Sequence, residues 1–129
     1  MTAATDLLAD GFSRVEQVLT GVVEPLGAAE LEARIDPAAN SIAWLVWHLT
    51  RVQDDHVADV AGTEQVWTAE GWATRFDLPF PPEDTGFGHS SDQVGQVRGV
   101  SAADLLGYHR ATHAATDQYL TSLSDDDLD

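Results

Sequence analysis

The chain has 129 residues, a formal net charge of −16 and no cysteine, and all six of its basic residues are Arg. That length supports one compact domain, and 43% hydrophobic content is globular rather than disordered. The acidic balance excludes a nucleic-acid footprint and docking on an anionic membrane, missing cysteine excludes disulfides, thiolate metal ligands and a cysteine nucleophile, and no apolar run is long enough to span a bilayer.

The N-terminus lacks the basic and apolar regions of a signal peptide, which fits a cytoplasmic location. From Asp6 to Val23, apolar residues recur at spacings of three and four (Leu7, Leu8, Phe12, Val15, Val18, Leu19, Val22, Val23), which predicts an amphipathic helix capped by Thr5 and stopped at Pro25 and Gly27. A short helical turn is expected over Ala28 to Arg34. The turn Asp36–Ser41 then N-caps a second long helix from Ile42 to Ala61, ended by Gly62. This helix has two stripes. Ile42, Leu45, Leu49, Val52, His56 and Val60 form one; Trp44, His48, Arg51 and Asp55 form the other.

Residues 63–100 hold five of the ten aromatics and three of the five prolines, as expected of a long connection that packs over one end of the core. WTAEGWATRF is expected to form one short helix, and SSDQVGQVR another helical turn. A third long helix starts at Ser101, with Asp104 completing a box-like start, and runs to about Leu123. Its inward face is marked by Leu105, Leu106, His109, Thr112, His113, Thr116, Tyr119, Leu120 and Leu123. No strand pattern appears. Three such helices leave a groove that a bundle normally closes with a fourth. The closing SDDDLD resembles the cap of another helix. The expectation is therefore a single all-α domain over residues 1–129, an up-and-down four-helix bundle whose last helix is truncated or supplied elsewhere.

Two features could carry chemistry. His109 and His113 have the i,i+4 spacing that lets two imidazoles reach one ion, although without the glutamate of a zinc-protease box; two half-buried polar residues are the competing reading. His48 lies in mid-helix beside Trp44 and Trp47, and each nitrogen of a core-facing imidazole needs a partner, which a metal could supply; a core histidine satisfied by ordinary hydrogen bonds is the competing reading. Arg51 is read either as an i,i+4 partner of Asp55 or as an anchor for an anionic ligand. His56 and His89 are expected to face solvent or a loop. Trp67, Trp72 and Phe76 read first as packing. No phosphate loop, GxSxG or glycosidase carboxylate pair is present.

The stretch NSIAWLVWHLTRVQDDHVADVAG, with EQVWTAEGWATRFDLP and TGFGHS after it, resembles the DinB-like/YfiT-like superfamily, in the branch of mycothiol-dependent enzymes related to maleylpyruvate isomerase. The resemblance implies a four-helix bundle binding a divalent metal, zinc or nickel, with His48 as its ligand and further ligands on a last helix beyond Asp129. It implies a metal-dependent S-transferase that conjugates mycothiol, or a similar thiol, to electrophiles in detoxification. Trp44, Trp47, Arg51, Asp55 and Trp67 then become candidates for the substrate pocket, with His109 and His113 as pocket residues or second-choice ligands. No catalytic residue is assigned. The partners would be a small-molecule thiol and an electrophile, with a homodimer open. Competing readings are a non-catalytic binding or stress-related module, or a metal-dependent isomerase or hydrolase on the same scaffold.

Overall fold

In a computed structural model that describes residues 2–128, the chain is all-helical. Three long helices, α1 (Ala3–Val23), α3 (Ile42–Ala61) and α7 (Ala102–Thr121), carry the core. Short helices fill the connections: α2 (Ala28–Glu32), α4 (Val66–Ala69), α5 (Trp72–Phe76) and α6 (Ser91–Gly95), and a 3₁₀ turn follows at Asp125–Leu128.

Local chemistry explains most boundaries. Ser41 and Ser101 cap α3 and α7 by accepting from the backbone N–H of Trp44 and Asp104. Gly62 ends α3 in the left-handed region at φ +70°. Two expectations need correction. The cap of α1 is Thr2; Thr5 sits three residues inside and returns the bond as the second half of a capping box. WTAEGWATRF is two helices, because Gly71 adopts φ +80° and breaks the run between Glu70 and Trp72.

The long helices are not all antiparallel neighbours. Ser13 and Glu16 of α1 meet His113 and His109 of α7, so these two run in opposite directions. Arg51 meets Tyr108 and Gln53 meets Thr116, so α3 and α7 run the same way. The connection from Gly62 to Ser101 makes this parallel pairing possible by carrying the chain back along the molecule. α7 packs between α1 and α3. Its buried face is Leu105, Leu106, Tyr108, His109, Thr112, Thr116 and Leu120.

The buried face of α3 coincides with neither expected stripe: Trp44 and Arg51 of the second are buried together with Trp47, Asp54 and Ala58, His48 and Asp55 are only partly buried, and of the first stripe Leu45 is 44% and Val60 63% exposed. Much of the apolar stripe of α1 is likewise left open, with Leu7 76% and Val18 65% exposed, whereas Val23 at its end is buried and Leu19 packs against the core. These faces produced the helical periodicity, yet nothing among the described residues covers their open parts. Among those residues, no helix is long and apolar enough to cross a membrane.

Candidate functional site

The site forms where the loop before α6 folds back onto the first half of α3. His48 is half-buried, and its Nδ1–H donates to the Thr85 carbonyl oxygen. The Trp44 ring stacks on the imidazole with ring centres 4.5 Å apart. Fixing Nδ1 as the donor sets the tautomer and turns Nε2 away from the loop. A hydrogen bond from the second nitrogen to a backbone carbonyl is the arrangement that orients metal-ligating histidines.

Gly86 makes this approach possible. Its φ is +90°, and a Cβ built on it would lie 2.9 Å from both His48 Nδ1 and a Trp47 ring carbon. The adjacent turn is held by Asp84, whose carboxylate accepts from the Gly86 N–H at 2.8 Å. The other oxygen of Asp84 accepts from His89 Nε2–H at 2.8 Å, and His89 Nδ1 accepts from the indole N–H of Trp44 at 3.2 Å. Partial burial raises the Asp84 pKa, but the bonds from His89 and Gly86 outweigh it and hold the carboxyl below its ordinary value. His89 therefore belongs to the site, with its side chain only 3% exposed and its ring packed against Trp47 and Phe80. Its only sequence signal was its place in TGFGHS. His56 is exposed and accounts for itself, bonding to the Val52 carbonyl.

The structure gives Arg51 a different role from ligand binding. Its side chain is fully buried. Nε donates to the Asp84 carbonyl, NH2 to the Pro82 carbonyl, and NH1 to Gln65 Oε1 and the Tyr108 hydroxyl. The guanidinium also lies 5.1 Å from the centre of the Trp67 ring. It is thus a clamp that fastens the loop carrying Thr85 and Gly86 to α3. Its nearest carboxylate is Asp54, at 3.8 Å, not Asp55, which accepts instead from Gln65. Asp54 in turn caps α4, accepting from the N–H groups of Val66 and Trp67 and from the Tyr108 hydroxyl. Burial, reinforced by Asp54, pushes the Tyr108 pKa up, so its proton stays in place. Trp67 packs in the core against Phe76 and Tyr108. Trp44 and Trp47 flank His48 as the sequence suggested, whereas Arg51, Asp55 and Trp67 form the layer behind it.

His109 and His113 lie elsewhere, between α7 and α1, where Glu16 reaches within 3.9 Å of His109 Nδ1 and 3.7 Å of His113 Nε2. His109 is fully buried, with no hydrogen-bond partner on either nitrogen. Burial drives its pKa down, with the nearby Glu16 opposing. His113 turns to Asp117 at 3.2 Å. Among the described residues, no hydrogen bond or ion pair joins either histidine to His48. Among the described residues, no three His, Cys, Asp or Glu side chains are grouped to hold a metal ion.

The pattern of the DinB superfamily matches residues 12–129. A crystal structure described as the conserved protein of a locus from Enterococcus faecalis superposes with a TM-score of 0.88 at 22% identity, covering 98% of this chain and 74% of that one. That likeness is one of fold. No curated protein matches the chain.

Proposed function

The chain belongs to the DinB superfamily, and from that premise we propose that it carries part of the site of a cytoplasmic, metal-dependent S-transferase that joins mycothiol, or a similar low-molecular-weight thiol, to an electrophile. The observation that carries this reading is the fixed tautomer of His48, which leaves Nε2 free to ligate. A divalent ion, zinc or nickel, fits that nitrogen as one donor of a set; the other donors are not grouped with it among the described residues. Bound there, such an ion supplies the positive charge that keeps a thiol deprotonated at neutral pH.

The chain's own residues prepare this site in three ways. Trp44 and the Thr85 carbonyl hold the imidazole in one orientation, which lowers the cost of ordering it on binding. Trp44, Trp47 and the loop over them keep one side of His48 apolar and strengthen electrostatic effects near it. Arg51 holds the loop through two backbone carbonyls, so the carbonyl that orients His48 is itself fastened.

Elemental analysis of the purified protein tests the ligand. A bound stoichiometric metal in the wild type and its loss in His48→Ala is the expected result; equal metal in both removes His48 from the site. Transfer is tested with mycothiol and a bimane-type electrophile, and conjugation no faster than the spontaneous rate in metal-loaded protein overturns it. A second reading, a non-catalytic binding module that includes a homodimer, is favoured by the exposed apolar stripe of α1. It predicts a metal-free protein whose association state changes with Val18→Asp.

A further inference from the structure

The loop from Asp84 to His89 satisfies two side chains that stand one turn apart on α3. The Thr85 carbonyl accepts from His48 Nδ1–H, and His89 Nδ1 accepts from the indole N–H of Trp44 at 3.2 Å. Trp44 in turn lies on His48, with the two ring planes 18° apart. The loop therefore reaches the imidazole twice, once directly and once through the indole.

The partners of His89 fix where its proton sits. An indole N–H is a donor only, so Nδ1 is the bare nitrogen. An ionised carboxylate is an acceptor only, so Nε2 carries the proton that Asp84 accepts at 2.8 Å. This tautomer is the opposite of that of His48. Asp84 is held in its turn, because its other oxygen accepts from the Gly86 N–H at 2.8 Å and its carbonyl accepts from Arg51 Nε at 3.1 Å. A chain of directed bonds thus leaves α3 at Arg51, passes through Asp84 and His89, and returns to the same helix at Trp44. Its end point matters because the last torsion of an aromatic side chain is broad, so an indole plane is loosely set without a bond at its N–H.

We propose that His89, with Asp84 behind it, is a positioning residue for His48 and acts through the indole of Trp44. The proposal rests on the reading of His48 as a metal ligand: an imidazole already held in its ligating orientation gives up less freedom when it binds an ion. The working part of His89 is the acceptor at Nδ1, not the bulk of the ring.

Two variants separate the two bonds of His89. In His89→Gln the carboxamide reaches Asp84 but leaves nothing at the place of Nδ1 to accept from Trp44. In His89→Asn the shorter carboxamide puts its oxygen at that place and gives up Asp84. Co²⁺ alone is titrated into each intact chain. The Trp44 indole N–H and the ring nitrogens of His48 are followed by NMR without metal. His89→Gln is expected to move the Trp44 and His48 resonances and to weaken Co²⁺ about tenfold, the low end of the cost of losing a partner of a ligating histidine. His89→Asn is expected to keep those resonances and to bind Co²⁺ nearly as the wild type does. A role confined to packing or to folding the loop affects both variants alike, or the Asn variant more. Either of those patterns, or wild-type resonances for Trp44 and His48 in His89→Gln, overturns the proposal. A wild type that takes up no Co²⁺ overturns the ligand reading instead, and the metal-free spectra then decide by themselves whether His89 sets His48.

Discussion

Gly86→Ala puts the orientation of His48 under direct test. The substitution has two separable effects. At φ +90° an added Cβ meets its own backbone, at a cost of about 1–2 kcal/mol. It would also lie 2.9 Å from His48 Nδ1 and 2.9 Å from the Trp47 ring, with Trp44 at 3.3 Å. These are rigid rings in a packed layer, so the loop must lift, and overpacking of this kind costs about 1–3 kcal/mol. Lifting Thr85 breaks its bond from His48, worth about 1 kcal/mol. The expected loss is about 3–6 kcal/mol, read as a clearly lower urea midpoint. Gly88→Ala is the control, because Gly88 has φ +75° and nothing within 4 Å of its Cβ. It should show the backbone cost alone, so the difference between the variants, about 2–4 kcal/mol, isolates the contact with His48. Urea unfolding gives the energies, and ring-nitrogen NMR of His48 reports whether Nδ1 keeps its proton. Equal losses in the two variants, with an unchanged His48 tautomer, would refute the claim that Gly86 is there to let the loop orient the histidine.

Three further outcomes follow from the same geometry. Arg51→Met should cost about 3–5 kcal/mol by leaving the buried Asp54 without its counter-charge and two loop carbonyls without their donors; an unchanged urea midpoint with weakened thiol binding would instead return Arg51 to a ligand role. His109 has a folded-state pKa below its ordinary 6.5, so the unfolded chain takes up the proton first as pH falls. The stability tied to its neutral form is complete above about pH 6.5 and is lost as the pH drops toward the folded pKa, at no more than about 1.4 kcal/mol per pH unit. The groups near it are Glu16, His113 and Arg110. His109→Gln should flatten the fall in urea midpoint between pH 7.5 and 5.5, and an identical slope in both proteins contradicts the assignment. Finally, chelation should lower the melting temperature of metal-loaded wild type and leave His48→Ala unmoved, because only a ligand that binds the folded state stabilises it.

Much of this was written in the chain itself. The periodicity of the long helices, the serine caps at Ser41 and Ser101 and the glycine stop at Gly62 are local signals, decided within a turn or two, and they stand in the structure where the residues put them. The WHL histidine and its neighbouring tryptophans were legible for the same reason, since one helix presents them together. What depended on the tertiary structure was which face became core and which partner each polar group found. The apolar stripe of α1 was clear in the sequence, yet much of it lies open while Arg51 and Asp54 sit buried. Burial is set by neighbours, not by hydrophobicity alone. The i,i+4 rule pointed Arg51 at Asp55, but the loop between α5 and α6 offered carbonyls better placed for a planar donor fork. His89 and Gly86 had no signal beyond their place in TGFGHS. Each acquires its role from groups distant along the chain, because a hydrogen bond or a close contact needs position in space, and the folding of the loop before α6 onto α3 is what supplies it.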